Sequence, residues 1–77
     1  MEERVKKIFE DVFHMEDPDG DTHFSKMGGK SVDAMKLQIE LRRLFGVKVD
    51  FRTLYELGSI QSIATYAADH ATGQRQA

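Results

Sequence analysis

Hydrophobic residues recur at helical spacing near both ends of this 77-residue chain. Near the N-terminus they fall three or four positions apart and so share one helix face; they are Val5, Ile8, Phe9, Val12 and Phe13. The same spacing recurs near the C-terminus at Ile60, Ile63, Ala64 and Ala67, after Ser59, a residue type favoured at helix N-caps. The pattern predicts a first helix over residues 2–14 and a last helix beginning after Ser59.

Residues 31–45 form a third helical pattern, which has two apolar stripes. We expect the first stripe to face the core; it contains Ala34, Leu37, Leu41, Leu44 and Phe45. The second stripe lies nearly opposite, is flanked by basic residues and contains Val32, Met35 and Ile39. Burying both stripes in a small bundle is the alternative, but a chain this short offers few helices to cover them. We therefore predict that the second stripe faces partner proteins.

The segments between these helices carry turn and capping residues. Pro18 and Gly20 indicate a loop over residues 15–30, with Phe24 and Met27 as its apolar anchors. Gly46 and Val47 match a Schellman-type helix end. Residues 47–49 alternate like a strand but have no pairing partner, so we interpret them as a connecting loop.

A short helix is predicted over residues 50–55, with Asp50 as its cap. The expected fold is all-α: a small four-helix bundle of three main helices and a short third helix, with a long loop between helices one and two. We expect residues 1–77 to form a single domain whose tail, residues 69–77, frays. The second helix should pack against Phe9, Val12, Ile60 and Ile63.

Composition narrows the possible functions. The chain is 40% hydrophobic and 31% charged, as in ordinary globular domains, and it contains no cysteine for a disulfide or a thiolate metal site. A net charge of −2 without a basic stripe argues against nucleic-acid binding. The sequence lacks an apolar run of membrane-spanning length and a signal-peptide pattern, so we expect a cytoplasmic monomer that does not bind membranes.

The acidic and imidazole side chains do not form a convincing catalytic or metal site. Residues 16–21 contain four acids, but counting an EF-hand from Asp17 puts Gly28 where the motif requires a bidentate glutamate. We interpret this segment as a solvated loop. His14, His23 and His70 lack the spacing of metal ligands and are predicted to lie on the surface. We therefore expect a protein that is not an enzyme and binds no metal.

The candidate site is the run MGGKSV at residues 27–32, which places Ser31 behind Gly28 and Gly29 at the start of a helix. Glycines let the chain turn sharply and let another protein's active site approach the backbone. Ser31 is predicted at or near the helix N-cap, a position at which serine is common for structural reasons alone. A phosphate ester on its hydroxyl would lie beside the positive end of the helix dipole.

These residues resemble the phosphopantetheine-dependent carrier proteins, and most closely the peptidyl carrier (thiolation) domains of nonribosomal peptide synthesis. The positions that match the motif around the modified serine are Asp21, Phe24, Met27, Gly28, Gly29 and Ser31. Further similarity is found at residues 34–37, 45–47, 51–56 and 59–60, and the resemblance spans about residues 5–68. The chain departs from the pattern at Lys30, where carriers usually have His or Asp, and at Ser25, which replaces a common second aromatic.

The resemblance implies a function for Ser31. A phosphopantetheine arm attached there, flanked by Gly28, Gly29 and Lys30, would hold aminoacyl or peptidyl groups as thioesters. The implied partners are a phosphopantetheinyl transferase, an adenylation enzyme, and condensation or other tailoring enzymes. We expect these partners to dock on Val32, Met35, Lys36, Ile39 and Arg43.

Two alternatives remain open. The first is an acyl carrier of polyketide or fatty-acid synthesis, although fatty-acid carriers usually have a strongly acidic second helix and this one is neutral to basic. The second is a non-covalent helical interaction module in which Ser31 only caps a helix. Because Met1 lies only four residues before Val5, we expect a free-standing carrier.

Overall fold

In the computed structural model, which describes residues 1–28 and 30–71, four α-helices surround one hydrophobic core. The helices are α1 (Glu2–Phe13), α2 (Ser31–Phe45), α3 (Phe51–Leu57) and α4 (Ile60–His70), and a 3₁₀ helix, η1 (Phe24–Met27), lies in the loop between α1 and α2. No strand is present in these two ranges. The predicted all-α bundle with a short third helix is confirmed.

The helices pack in a ring of contacts: α1 against α2 and α4, and α3 against the same two helices. The predicted inner faces of α1 and α4 are confirmed. Their buried residues are Val5, Ile8, Phe9, Val12, Ile60, Ile63, Ala64 and Ala67. These side chains form one cluster with the buried residues of α2, so burial of apolar surface supplies the main stabilisation.

The predicted end of α2 is confirmed. Gly46 adopts the left-handed conformation (φ 69°), its N–H donates to the Arg42 carbonyl at 3.0 Å, and the Val47 N–H donates to the Leu41 carbonyl at 3.4 Å. Val47 is buried, which gives the apolar contact that accompanies a Schellman motif.

The two predicted N-caps beyond α2 are also present. The Asp50 carboxylate accepts the Thr53 N–H at 2.8 Å, and this hydrogen bond lowers the pKa of Asp50. The Ser59 hydroxyl accepts the Ser62 N–H at 3.1 Å. The third helix runs to Leu57, two residues beyond its predicted end.

The α1–α2 loop is tied to the bundle at several points. Phe24 is completely buried and Met27 packs partly against the core, as predicted for the loop anchors. The Gln61 N–H donates to the Gly20 carbonyl at 2.9 Å, which joins the loop to the first turn of α4. Because both apolar and hydrogen-bonding contacts hold it, the loop has a defined path up to η1.

One residue predicted in the core lies at the surface. Leu44 was expected in the core but is 38% exposed. At this end of α2 the neighbouring element is the first turn of α1, where the Arg4 guanidinium lies 4.8 Å from the centre of the Phe45 ring. The contacts there bury Phe45 and leave Leu44, one residue earlier, at the edge of the covered area.

The last helix reaches into the segment that was predicted to fray. The tail was predicted to fray from Asp69, but α4 continues to His70 and Ala71 is buried. The rest of the predicted frayed tail, residues 72–77, lies outside the described residues.

Candidate functional site

Ser31 is the first residue of α2 and is exposed. Lys30, not Ser31, is the N-cap: its backbone is extended (φ −115°, ψ 173°), and its carbonyl accepts the N–H groups of Asp33 (3.0 Å) and Ala34 (3.1 Å). Ser31 is therefore one residue inside the helix, and its hydroxyl makes no cap hydrogen bond with any described residue. The structural reason for a serine at this position is weaker than the sequence indicated.

Gly28 ends η1 in the left-handed conformation, with φ 78°. Other residues are strained in this conformation, so the turn itself requires glycine. A Cβ atom on Gly28 would meet nothing within 4 Å, which means that this side of the turn is open. Gly28 therefore turns the chain towards Ser31 and leaves room for an approaching molecule; Gly29 lies outside the described residues.

The charges around the start of α2 suit an anion. The Asp33 carboxylate accepts the Lys30 backbone N–H at 3.1 Å, while the Lys30 side chain is exposed. Backbone N–H groups in the first turn of a helix carry a partial positive charge. A phosphate on the Ser31 oxygen would lie next to this positive end and to the Lys30 ammonium, as anions at helix N-termini do.

The second apolar stripe of α2 is on the surface. Val32, Met35 and Ile39 are 53%, 52% and 59% exposed, whereas the first stripe is buried at Ala34, Leu37, Leu41 and Phe45. We call Val32, Met35 and Ile39 the α2 apolar stripe. Three large apolar side chains in one row beside Ser31 form a surface of the kind that binds proteins.

The two cations predicted beside the α2 apolar stripe differ in their surroundings. Arg43 is exposed but paired with Glu40, with a closest N–O distance of 2.6 Å, and this pairing raises the pKa of Arg43 and lowers that of Glu40. Lys36 is exposed and forms no ion pair with any described residue. Lys36 is thus the cation that is more available to a partner.

Sequence reasoning missed an exposed aromatic pair on α3. Phe51 and Tyr55 are 38% and 37% exposed and contact each other edge to face, with ring centres 5.5 Å apart. Leu54 takes the buried position of the same short helix. The i, i+4 spacing of Phe51 and Tyr55 around Leu54 was the available signal, because one side of a short helix can enter the core while the other stays exposed.

A surface groove of about 520 Å³ lies next to the α2 apolar stripe, between α2 and the segment that leads into α3. Its lining residues are Gln38, Ile39, Arg42, Lys48, Val49 and Asp50. The Gln38 amide donates to the Val49 carbonyl at 2.8 Å and so ties the segment to α2. The groove extends the accessible surface from Ile39 towards α3.

The three histidines, all predicted on the surface, differ from one another. His14 is exposed and ends α1 in the left-handed conformation, and His70 is exposed on α4, where its Nδ1 lies 2.9 Å from the Tyr66 carbonyl oxygen. His23 is half-buried, and both of its ring nitrogens are hydrogen-bonded. His23 thus keeps part of its surface exposed, but both ring nitrogens tie it into the fold.

The part of the chain that the structure describes holds no group of three or more His, Cys, Asp or Glu side chains that could bind a metal ion. Among the same residues, no helix combines the length and the hydropathy needed to cross a bilayer. The features that stand out are Ser31, the open turn before it and the exposed apolar surface beside it. Such an arrangement leaves the Ser31 side chain accessible at the molecular surface.

The fold and this site define a small helical carrier domain, and comparison with known proteins agrees. The family model "Phosphopantetheine attachment site" matches residues 3–67. The chain therefore belongs to this family and is a carrier protein of the phosphopantetheine type. The sequence-based recognition of the family and of its cofactor is confirmed.

One sequence relative is a far longer protein. Bacitracin synthase 1 of Bacillus licheniformis is 29% identical over 65 residues, which cover 84% of this chain and 1% of that protein. The chain thus spans only about 1% of the length of this relative.

Solved structures show the same fold. A chain in the complex of the phosphopantetheine transferase Sfp with coenzyme A and a peptidyl carrier protein superimposes with a TM-score of 0.85, at 24% identity over 88% of both chains. An active-site mutant peptidyl carrier protein gives 0.86, at 22% identity over 92% of this chain and 79% of that one. BlmI, a type-II acyl carrier protein of Streptomyces verticillus involved in bleomycin biosynthesis, gives 0.83, at 18% identity over 92% of this chain and 86% of that one.

Proposed function

We propose that the chain is a peptidyl carrier protein that receives its phosphopantetheine arm on the hydroxyl oxygen of Ser31. The observation that carries the proposal is an exposed serine at the first residue of α2, three residues after an open glycine turn and adjacent to an exposed apolar stripe. The chain itself catalyses nothing in this proposal. It is a substrate that partner enzymes modify and load.

The residues at the start of α2 fit the phosphate end of the arm. The Ser31 oxygen supplies the ester bond, the first turn of α2 supplies partial positive charge, and Lys30 supplies a nearby cation. Gly28 leaves the approach open. When bound, the arm supplies a terminal thiol to which an aminoacyl or peptidyl group is esterified.

The modification would proceed as a phosphoryl transfer from coenzyme A. The Ser31 oxygen forms a bond to the phosphorus on the pantetheine side, the pyrophosphate P–O bond breaks, and adenosine bisphosphate leaves. The proton of the Ser31 hydroxyl passes to a base of the transferase, because no described side chain hydrogen bonds to this hydroxyl as a base would. The chain contributes the position and the electrostatic surroundings of the nucleophile.

The peptidyl assignment is supported by the names of the relatives. The sequence relative is a bacitracin synthase, and two of the similar structures are described as containing peptidyl carrier proteins. The charge of α2 agrees, because this helix carries the basic residues Lys36, Arg42 and Arg43 against the acidic residues Asp33 and Glu40, whereas fatty-acid carriers usually have a strongly acidic second helix. The proposed partners are a phosphopantetheinyl transferase, an adenylation enzyme and condensation or tailoring enzymes.

An acyl carrier is the second candidate, and the similarity to BlmI favours it. The test is to convert the protein to its holo form with coenzyme A and a broad-specificity transferase, and to offer it adenylation enzymes and acyl-loading enzymes in parallel. A peptidyl carrier should accept aminoacyl groups from an adenylation enzyme. If native partners load only fatty or polyketide acyl groups, the acyl-carrier function replaces the peptidyl one.

The α2 apolar stripe and Lys36 should form the docking surface for the loading enzyme. Met35→Ala, Ile39→Ala and Lys36→Glu should each lower kcat/KM of aminoacyl transfer about fivefold or more, because truncating a central contact or reversing a charge at an interface weakens the complex. The rate should be measured with holo protein, with far-UV circular dichroism confirming unchanged helicity.

Matched controls lie elsewhere on the same surface. Leu44→Ala removes an exposed leucine of α2 outside the α2 apolar stripe, and Lys7→Glu reverses an exposed charge on α1. Both control variants should load at the wild-type rate. Wild-type rates for all three test variants would place the docking surface elsewhere.

A further inference from the structure

His23 connects η1 to α3 through both nitrogens of its ring. Nδ1 lies 3.0 Å from the Ser25 backbone nitrogen, whose N–H it accepts, and so caps η1. Nε2 lies 2.7 Å from the Tyr55 carbonyl oxygen. A carbonyl oxygen only accepts hydrogen bonds, so Nε2 carries the hydrogen and Nδ1 is bare. The geometry requires a neutral imidazole protonated on Nε2.

The end of α3 is shaped to receive this ring. A Cβ atom on residue 58 would lie 1.9 Å from the Cδ2 atom of His23, so only glycine leaves space there, and Gly58 also has a positive φ of 71°. The Phe24 N–H donates to the Gly58 carbonyl at 3.0 Å, and the rings of Phe24 and Tyr55 meet edge to face with their centres 5.0 Å apart. Two hydrogen bonds and a close ring contact therefore join the start of η1 to the end of α3.

This junction lies directly before the candidate attachment site. The segment held by His23 is η1, which ends at Gly28, three residues before Ser31. We propose that His23 is a positioning residue for modification of Ser31, whose neutral form holds η1 on α3 and whose protonation releases it. The inference rests on the proposed function, since it concerns the loop that presents Ser31 to the transferase.

Protonation of His23 on Nδ1 would remove the hydrogen bond from the Ser25 N–H and would form no new one. A hydrogen on Nδ1 would point at the Ser25 N–H, so an acceptor–donor contact would become a contact between two donors. The titratable or charged side chains on the neighbouring segments are Asp21, Lys26, Arg52, Tyr55 and Glu56. Arg52 pairs with Glu56 at 3.6 Å, the Tyr55 ring centre lies 6.3 Å from that of His23, and no described carboxylate forms an ion pair with His23. An imidazolium at His23 would therefore lack a compensating partner.

The first measurement reads the tautomer directly. Long-range proton–nitrogen NMR spectra of the ¹⁵N-labelled protein at about pH 8 should show His23 with a protonated Nε2 and an unprotonated Nδ1. Amide exchange at Phe24 and Ser25 should accelerate relative to α4 by about fivefold or more between about pH 8 and about pH 5.5. A protonated Nδ1 at the higher pH would overturn the assignment.

The second measurement tests the link to Ser31. His23→Asn keeps an acceptor that can cap η1 but cannot gain a proton in this range. We expect the ratio of wild-type to His23→Asn kcat/KM for transferase modification to fall about fivefold between about pH 8 and about pH 5.5. Forming this ratio at each pH cancels the pH dependence of the transferase itself. The matched control His14→Asn, at an exposed left-handed position that tolerates asparagine, should give a constant ratio.

Each outcome decides between distinct conclusions. A constant wild-type to His23→Asn ratio would overturn the positioning role even if the tautomer is as described. If the wild-type protein gains no phosphopantetheine at any pH, the proposed function fails. In that case the tautomer and the exchange data still determine whether His23 holds η1 on α3.

Discussion

Replacement of Ser31 by alanine should abolish the mass gain that the wild-type protein shows after incubation with coenzyme A and a broad-specificity transferase. Removing the hydroxyl removes the only atom that can form the ester bond at this position, so we expect complete loss and not a reduced rate. Intact-mass spectrometry of the two proteins under the same conditions measures the effect. A non-covalent interaction module would gain no mass in either form.

The same substitution should leave stability almost unchanged. Loss of an N-cap side chain costs about 0.5–2 kcal/mol, but Lys30 and not Ser31 occupies the cap of α2. An exposed first-turn alanine should therefore alter the free energy of unfolding by less than about 0.5 kcal/mol. Ser25→Ala, at an exposed serine of η1, is the matched control and should still be modified. Mass gain by Ser31→Ala would assign the attachment to another serine.

Truncation of the buried stripe of α2 should have the largest effect on stability. Leu41 is 2% exposed, whereas Ile39 is 59% exposed on the opposite side of the same helix. Leu41→Ala should lower the free energy of unfolding by about 2–5 kcal/mol, because it removes buried methyl groups and leaves a cavity. Ile39→Ala should lower it by about 0.5 kcal/mol or less. Urea unfolding followed by circular dichroism gives both values.

A domain this small has little stability to lose, so a milder variant is needed beside Leu41→Ala. Leu41→Met keeps the side-chain volume and should cost less than about 1.5 kcal/mol. Equal losses for Leu41→Ala and Ile39→Ala would mean that both stripes contribute to the core. The docking role of the α2 apolar stripe would then lose its basis.

Local sequence signals were sufficient for the helices and most of their ends. The caps at Asp50 and Ser59 and the glycine stop at Gly46 were predicted because each depends on hydrogen bonds between residues three to six positions apart. The predicted bounds of α2, residues 31–45, are confirmed, but its N-cap is Lys30 and not Ser31, a difference of one residue. That residue matters, because it moves Ser31 from the cap to the first position inside the helix.

Contacts between distant segments explain the errors. Glu2 and Glu3 lie four residues before Lys6 and Lys7, a spacing that favours ion pairs along α1. In the structure, however, Lys6 pairs with Asp17 in the following loop, and this bond raises the pKa of Lys6. The chain path that brings this carboxylate back to α1 is set by the loop as a whole. Single-helix spacing cannot show it.

Some residues of the candidate site were predicted from the sequence, and others became evident only from the structure. Ser31 and its flanking glycine and lysine were found from a local motif, and the α2 apolar stripe from helical spacing. The exposed Phe51 and Tyr55, the groove beside Ile39 and the contact of His23 with Gly58 were not found. Each depends on where α3 lies relative to α2 and η1.

By itself the sequence determined the four helices, the two faces of α2 and the serine at its start, because helix formation and capping act over a few residues and apolar spacing selects the face to be buried. The tertiary structure alone decided that Leu44 stays exposed, that η1 forms and that His23 bridges η1 to α3. The physical reason is that burial and long-range hydrogen bonds depend on which helix ends meet in space. Local sequence patterns therefore determine the helices of this carrier, and the packing of those helices determines the surface around Ser31.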